Sequence, residues 1–278
     1  MPEGDTVYLT ATRLHRALAG RVLTRTDFRF PSVATEDLAG HTIMEVKPRG
    51  KHFLFRTDRG ITLHTHMKMS GEWRTFRTGV PIGGWDDIRI VLETEPVTAI
   101  GYTMPVVHIL PTAREHDVIG HLGPDPLGPD WDHAIAVARL RAHPERELGD
   151  VLLDQTVICG WGNAYKNEMC FLRGLSPWAR VADIDDLDAL VDVGRRVLLA
   201  NRSIGRWVTT GNLRRGEGQY VFERAGKPCR LCATTIERTK QNGDGYLRWT
   251  YWCPTCQPGT PRGMRSPIKT PGASRWRR

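Results

Sequence analysis

Four cysteines in two pairs, Cys229-x2-Cys232 and Cys253-x2-Cys256, constrain this chain more than any other feature of its sequence. Thiolates two residues apart share one knuckle, and two knuckles joined by a hairpin-sized insert give the tetrahedral donor set that Zn2+ takes. Four protein ligands leave no open position, so the expected cofactor is one structural zinc, which holds the hairpin and does not react. Disulfides are the alternative; CxxC pairs in a chain expected in the cytosol argue against them. Cys159 and Cys170 are left over and are expected as buried free thiols. Inside the insert stands Arg248, among Tyr246, Trp249, Tyr251 and Trp252.

The charge of the chain gathers at the same end. Net charge is +8, and residues 223–278 hold 12 Lys/Arg against 3 Asp/Glu, so the first 222 residues are close to balanced. Clustered cations point to a polyanion, most simply nucleic acid, whose phosphates reward them by counterion release. A solvated basic tail is the plainer reading of the same charges. Residues 258–278, rich in Pro, Gly and Arg and without an apolar face, are expected to be disordered and to track phosphates. With 278 residues, 40% of them hydrophobic, the chain can hold two domains and a small appendage. It has no run of 18 apolar residues and no signal-peptide pattern, so a cytoplasmic protein without a membrane span is expected.

At the other end the chain begins Met1-Pro2-Glu3-Gly4. Removal of Met1 would leave Pro2 as a free secondary amine. An α-amino group titrates near pH ~8, so a usable fraction is neutral and nucleophilic, whereas a Lys amine at ~10.4 must first be desolvated. Attack of such an amine on a sugar aldehyde carbon gives an iminium, an electron sink, and the Glu3 carboxylate beside it can move protons. Pro at position 2 is also common at ordinary chain starts.

Residues 5–19 read as a helix with Asp5 or Thr6 as N-cap and Gly20 as its stop. From Val22 to about Leu110 short β-branched and aromatic runs alternate with turns, at 42–47, 51–56, 61–66, 72–77, 88–92, 97–102 and 106–110. That pattern predicts an antiparallel sandwich or barrel. Lys51 follows the Pro48-Arg49-Gly50 turn at a strand start, from which an ammonium can project past the sheet edge; an exposed hairpin Lys is more often a solvated charge. His64 and His66 are spaced as two metal ligands, with no third at suitable spacing, or as half-buried strand histidines. Met67 and Met69 flank Lys68 before Gly71, as core filler or as an apolar wedge for a base stack. Residues 121–130, with Gly123-Pro124-Asp125-Pro126, read as a rigid linker. Helices are expected over 131–142, 148–158, 164–172 with Asn163 as N-cap, and 185–201. The Gly160-Trp161-Gly162-Asn163 turn makes a helical hairpin whose second helix starts with free N–H groups, suited to a DNA phosphate; many helix starts cap only themselves.

Taken in order, Met1-Pro2-Glu3-Gly4, Arg49-Gly50-Lys51, Met69-Ser70-Gly71, Leu122-Gly123-Pro124-Asp125, Leu153-Asp154-Gln155, Gly160-Trp161-Gly162-Asn163 and Tyr251-Trp252-Cys253-Pro254-Thr255-Cys256-Gln257 make the chain resemble the formamidopyrimidine-DNA glycosylase/endonuclease VIII family, the endonuclease VIII branch most closely. The resemblance implies a multidomain α+β protein: an N-terminal antiparallel β-sandwich with a helix (1–120), the linker (121–130), a helix-two-turn-helix DNA-binding domain (131–222), a four-cysteine zinc finger (223–257) and the basic tail. DNA would lie in the cleft between. By position, Pro2 corresponds to the Schiff-base nucleophile and Glu3 to the proton donor. Lys51 would contact phosphate and assist β-elimination, Asn163 would bind phosphate, and Arg248 would grip phosphate and assist δ-elimination. Lys68, Met69, His121 and Gln257 complete the DNA-binding set, Met69 as the wedge. The chain departs from the family at Asp5-Thr6, where Pro then Glu is usual, in the absence of an aromatic in the Lys68-Met69-Ser70 loop, at His121 in place of an Arg, in showing no second wedge, and in a longer finger insert.

The expected function is that of a bifunctional DNA glycosylase/AP lyase of base excision repair, acting as a monomer on damaged double-stranded DNA at the nucleoid. It would flip out and remove oxidised bases, pyrimidines above purines, through a Pro2 Schiff base, and then nick the abasic site by β,δ-elimination. The rivals are a non-catalytic, zinc-dependent binder of damaged DNA and a glycosylase/lyase directed to oxidised purines.

Overall fold

The computed structural model describes residues 2–243 and 245–259; the expected basic tail, apart from Pro258 and Gly259, lies outside the described residues. Among these residues no helix is long and apolar enough to cross a membrane. They form two compact units that do not follow chain order. The first comprises Met1–Ala136 with Gln155–Trp161 and Leu198–Arg206, the second Val137–Asp154, Gly162–Val197 and the residues from Trp207 onward.

The first unit opens with α1, Gly4–Leu18, whose Val7, Ala11, Leu14 and Leu18 recur at helical spacing and are all buried. Expectation and structure differ at its start. Glu3, not Asp5 or Thr6, is the N-cap, and no side chain caps the helix. The first helical N–H finds a tertiary partner instead: that of Gly4 donates to the Gly160 carbonyl at 2.9 Å, so a distant loop satisfies one of the donors that a helix start leaves unpaired. Eight antiparallel strands follow: β1 Arg21–Phe28, β2 Thr42–Arg49, β3 His52–Thr57, β4 Ile61–His66, β5 Glu72–Arg77, β6 Ile88–Thr94, β7 Val97–Tyr102 and β8 Val106–Pro111. Their order is β5-β7-β6-β1-β2-β3-β4-β8. Strand β1 belongs to both halves, pairing with β2 through Arg21 and Val22 and with β6 from Leu23 to Phe28, with a register shift between Leu23 and Arg25. The two halves thereby form the expected sandwich, closed on a core of Leu23, Phe53, Phe55, Leu63, Trp73 and Ile90 together with the apolar face of α1. Burying each such large side chain contributes roughly 1.5–3 kcal/mol. A four-residue helix, α2, His116–Ile119, follows the last strand.

Residues 121–130 contain neither helix nor strand, as expected, but they are packed into the first unit. Gly123 N–H donates to the Gln155 carbonyl at 2.9 Å and Cys159 N–H to the Pro124 carbonyl at 3.1 Å. Those bonds also explain why the helix expected over 148–158 stops early. Helix α3 runs His133–Arg141 and α4 only Leu148–Val151, because the backbone beyond uses its polar groups on residues 123 and 124.

The second unit contains α4, α5, Asn163–Leu172, and much of α6, Leu187–Asn201, followed by the hairpin β9, Glu237–Gly243, with β10, Tyr246–Trp252. Asn163 is the first helical residue of α5 and Gly162 its N-cap, a correction to the expected cap. Ala164, Phe171, Val221, Phe222, Ile236 and Tyr251 form the apolar core of this unit. The buried Glu168 accepts N–H groups of Tyr220, Val221 and Phe222 at 2.8–2.9 Å and the Thr209 hydroxyl, pinning residues 209–222 to α5.

A Cβ at Gly123 would fall 2.3 Å from the Val157 carbonyl oxygen, a backbone atom, whereas one at Gly83 meets nothing within 4 Å. Gly123→Ala is therefore expected to cost about 3 kcal/mol and Gly83→Ala under about 0.5 kcal/mol, read from denaturant midpoints.

Candidate active site

In the first unit, Pro2 is half-buried at the head of α1 and Glu3 has no exposed surface. Asp5, in the first turn, is also buried, so a carboxylate is present there one position before the family's Glu. Lys51 lies in the turn between β2 and β3, not in the strand, and its Nζ donates to the Trp161 carbonyl at 2.5 Å. Gly4 is held by the carbonyl of the preceding residue, Gly160. Residues 2–5 and 51 are thus brought together on the 160–161 segment, with Asp125 behind them: its carboxylate accepts Gly50 N–H at 2.7 Å and Leu127 N–H at 2.9 Å. Burial pushes the Asp125 carboxyl up, against those two bonds. Arg49 stiffens the same turn by donating to Asp130 at 2.8 Å and to the Gly123 carbonyl at 3.2 Å.

The Lys68-Met69 turn follows β4. Lys68 has φ +46°, in the left-handed region, and its N–H donates to His66 Nδ1 at 2.8 Å. Met67 is buried, so it is the core filler, while Met69 is 63% exposed. His121 is exposed, with its ring centroid 6.3 Å from that of His52. Sequence spacing did not show that the sheet gathers more imidazoles here. His52 Nδ1 meets His64 Nε2 at 2.8 Å, His64 Nδ1 meets His108 Nδ1 at 3.1 Å, and His66 lies edge-on to His52. His64 uses both ring nitrogens in these contacts, so it fits as a neutral ring that donates once and accepts once. Among the described residues these histidines do not converge as a metal-ligand set; only the four cysteines do.

In the second unit, α5 presents Asn163, Lys166 and Asn167 on one face, at i, i+3 and i+4, and all three grip β10. Asn163 Nδ2 donates to the Trp249 carbonyl at 2.8 Å, Lys166 Nζ to Thr250 Oγ1 at 2.5 Å, and Asn167 Oδ1 accepts the Tyr251 N–H at 2.6 Å. Asn163 is therefore buried with its amide donor on the Trp249 carbonyl and its Oδ1 without a hydrogen-bond partner, while Arg248, one residue before Trp249 in the chain, is half-buried. Arg248 lies over the Tyr246 ring, 5.4 Å from its centroid.

The Sγ atoms of Cys229, Cys232, Cys253 and Cys256 all lie within 4.8 Å of one another, with Cys232 3.4 Å from both Cys253 and Cys256. A tetrahedral metal with ~2.3 Å bonds to sulfur needs edges of about 3.8 Å. The four thiols thus fit a metal ion, and N–H groups of Leu231 and Cys256 already point at Cys229 and Cys253 sulfur. Gln257 requires a correction. Expected at the DNA, it is fully buried: its Oε1 accepts the Cys253 N–H at 3.0 Å and its Nε2 donates to the Leu175 carbonyl at 2.8 Å. Its amide supports the second knuckle and has no surface to offer a ligand.

The family model described as the formamidopyrimidine-DNA glycosylase N-terminal domain matches residues 1–103, and that of the formamidopyrimidine-DNA glycosylase H2TH domain matches residues 122–201. The chain belongs to the formamidopyrimidine-DNA glycosylase/endonuclease VIII family. Within it, the sequence lies with the endonuclease VIII-like branch. A "Probable endonuclease 8 2" of Streptomyces coelicolor is 50% identical, over 93% of this chain and 95% of that protein. A "DNA-(apurinic or apyrimidinic site) lyase Nei2" of Mycolicibacterium smegmatis is 45% identical, over 92% and 99%. A crystal structure of Lactococcus lactis formamidopyrimidine-DNA glycosylase bound to DNA containing an abasic site has the same fold, with a TM-score of 0.78 at 21% identity, covering 92% of this chain and 100% of that one.

Burial, and then the charge of neighbouring groups, pushes His52 down to about 2, His64 to about 4 and His66 to about 3. An unfolded imidazole titrates at ~6.5, so the stability these neutral rings contribute is complete above that pH and is lost as pH falls toward the folded values. Between pH ~6.5 and ~5, above the carboxylate range, each ring lowers stability by up to about 1.4 kcal/mol per pH unit. Denaturant midpoints are expected to fall across that window and to fall less steeply in His52→Gln.

Proposed function

We infer that the chain works as a DNA glycosylase and AP lyase of base excision repair, and we propose that the Pro2 nitrogen is its nucleophile. The observation that carries the assignment of residues is the 160–161 segment, whose adjacent carbonyls hold the start of α1 through Gly4 and the ammonium of Lys51. The names borne by the relatives at 50% and 45% identity support the reaction class.

Once Met1 is removed, the Pro2 nitrogen attacks C1′ of an extruded deoxyribose. The base leaves with the electrons of the glycosidic bond and a proton managed by Glu3. The Pro2 nitrogen then gives up its proton, and the C1′–O4′ bond breaks as O4′ takes one, so the sugar ring opens to a C1′=N+ iminium that acidifies the 2′ hydrogens. Loss of a 2′ proton, assisted by Lys51, expels the 3′ phosphate, and a second elimination, assisted by Arg248, expels the 5′ phosphate. Asn163 and Lys68 hold phosphates, His121 lies beside the strand, and Met69 fills the vacated stack. For Asn163 this means either turning its amide donor away from Trp249 or offering the backbone N–H at the start of α5. Oxidised pyrimidines are the favoured substrates, and the enzyme acts as a monomer on damaged duplex DNA at the nucleoid. The domain limits proposed are those of sandwich, linker, helix-two-turn-helix unit and finger at 1–120, 121–130, 131–222 and 223–257.

For the four cysteines the soft, tetrahedral donor set favours zinc. When bound, that ion would fix the two knuckles and hence the hairpin bearing Arg248. Purified protein is expected to carry zinc in equimolar amount by atomic absorption. Cys253→Ala is expected to lose the metal while keeping the β-sheet signal in circular dichroism.

Borohydride reduction on a duplex containing an abasic site is expected to cross-link the chain through Pro2. A protein in which Met1 is retained, so that this nitrogen stays in a peptide bond, is expected to give no cross-link. Efficient trapping by that blocked form would overturn the assignment. Tight binding without trapping or strand cleavage by the Met1-free chain would instead favour a non-catalytic binder. Cleavage of duplexes bearing thymine glycol or 5-hydroxyuracil ahead of 8-oxoguanine is the outcome that supports pyrimidine preference.

A further inference from the structure

Gln155 lies away from both ends of the chain's chemistry in sequence, yet its side chain spans the segment on which that chemistry is mounted. Its Oε1 accepts the Gly160 N–H at 3.0 Å and its Nε2 donates to the Trp161 carbonyl at 3.0 Å. Between those two backbone groups lies the Gly160 carbonyl, which faces the other way and accepts the Gly4 N–H. Gly160 has φ +94°, a conformation that L side chains rarely adopt, so the turn is held by hydrogen bonds around a glycine and not by side-chain packing at that residue. The Trp161 carbonyl that receives Gln155 is also the one that receives Lys51 Nζ.

We propose that Gln155 is a positioning residue: its single amide sets the orientation of two successive backbone carbonyls, one of which places Pro2 and the other of which places Lys51. The proposal rests on the reading of Pro2 as nucleophile and Lys51 as the group that assists β-elimination. The two halves of the amide do separate work. The acceptor half, through Gly160 N–H, fixes the carbonyl that anchors α1. The donor half shares the Trp161 oxygen with the Lys51 ammonium and so limits how tightly, and in which direction, that ammonium is held. A primary amide suits this position because it offers a donor and an acceptor on one rigid plane; a carboxylate offers only acceptors and a thioether neither in comparable strength.

That division gives the test. Gln155→Glu keeps an acceptor for Gly160 N–H, removes the donor to Trp161, and sets a carboxylate to compete for Lys51. On a duplex containing an abasic site under single-turnover conditions, its borohydride trapping is expected to stay within about threefold of the wild type, while β-elimination slows about tenfold to a hundredfold, the scale expected for a misplaced catalytic group. Gln155→Met removes both bonds at similar volume and is expected to slow trapping and elimination together. Binding to a duplex carrying a tetrahydrofuran abasic analogue is expected to be unchanged in both, and the melting temperature of Gln155→Glu is measured alongside. Should Gln155→Met not fold, the split in Gln155→Glu decides. Equal loss of trapping and elimination in Gln155→Glu, or no loss of elimination, would overturn the proposal. Absence of trapping in the wild type would overturn the reading of Pro2 as well, and so is distinguishable from failure of Gln155 alone.

Discussion

Two consecutive backbone carbonyls, those of Gly160 and Trp161, are the constraint on which the chemistry proposed for the first unit depends. One takes the N–H of Gly4 and the other the ammonium of Lys51. Neither acceptor is a side chain, so each is unaffected by titration and offers a fixed direction. At the helix start they hold, Glu3 is the N-cap residue, makes no side-chain cap bond to the helix and is buried next to Pro2 in the chain. Asp125 then fastens the Gly50 N–H from behind, so the residue before Lys51 is fixed as well.

The second unit solves a similar problem with side chains. A β-hairpin of two strands is marginal by itself, and this one is fastened along β10 by Asn163, Lys166 and Asn167 from one face of α5. Its root ends in the knuckle whose Cys253 N–H is bonded by Gln257. Arg248 consequently projects from a strand anchored at both levels, by helix polar groups and by the thiol cluster. Burying a full Lys, a Glu and two Asn in one helix is costly unless every group finds a partner. Glu168 does so with four donors, and the unmet Oδ1 of Asn163 stands out against that background.

The imidazoles of the sandwich serve a third constraint. His66 can accept the Lys68 N–H only through an unprotonated Nδ1, and His64 bridges His52 and His108 through both ring nitrogens, which a neutral ring does by donating once and accepting once. Burial keeps them in that state. The strained backbone of Lys68, which throws Met69 into solvent, is thus supported by a histidine that does not carry charge.

The sequence by itself determined the elements whose pattern is local. Strands such as Ile61–His66, Glu72–Arg77 and Val97–Tyr102 were legible to the residue as β-branched and aromatic runs between turns, the apolar face of α1 was visible at helical spacing, and the CxxC pairs announced four converging thiols. Ordered motifs containing Pro2, Lys51 and Asn163, with the Tyr251–Gln257 stretch, pointed to the family, and the resemblance marked those residues and Arg248 as the ones on which its chemistry would rest. What only the tertiary structure decided were the positions where a backbone group finds its partner far along the chain. Helix 148–158 ended after one turn because Gln155 and Cys159 bond residues 123 and 124; the caps moved to Glu3 and Gly162; Gln257 turned inward to the finger; and five histidines scattered over four segments came into contact. Periodicity records which face of an element is apolar. It carries no record of which distant carbonyl an amide will meet, because that choice is made by the packing of the whole unit.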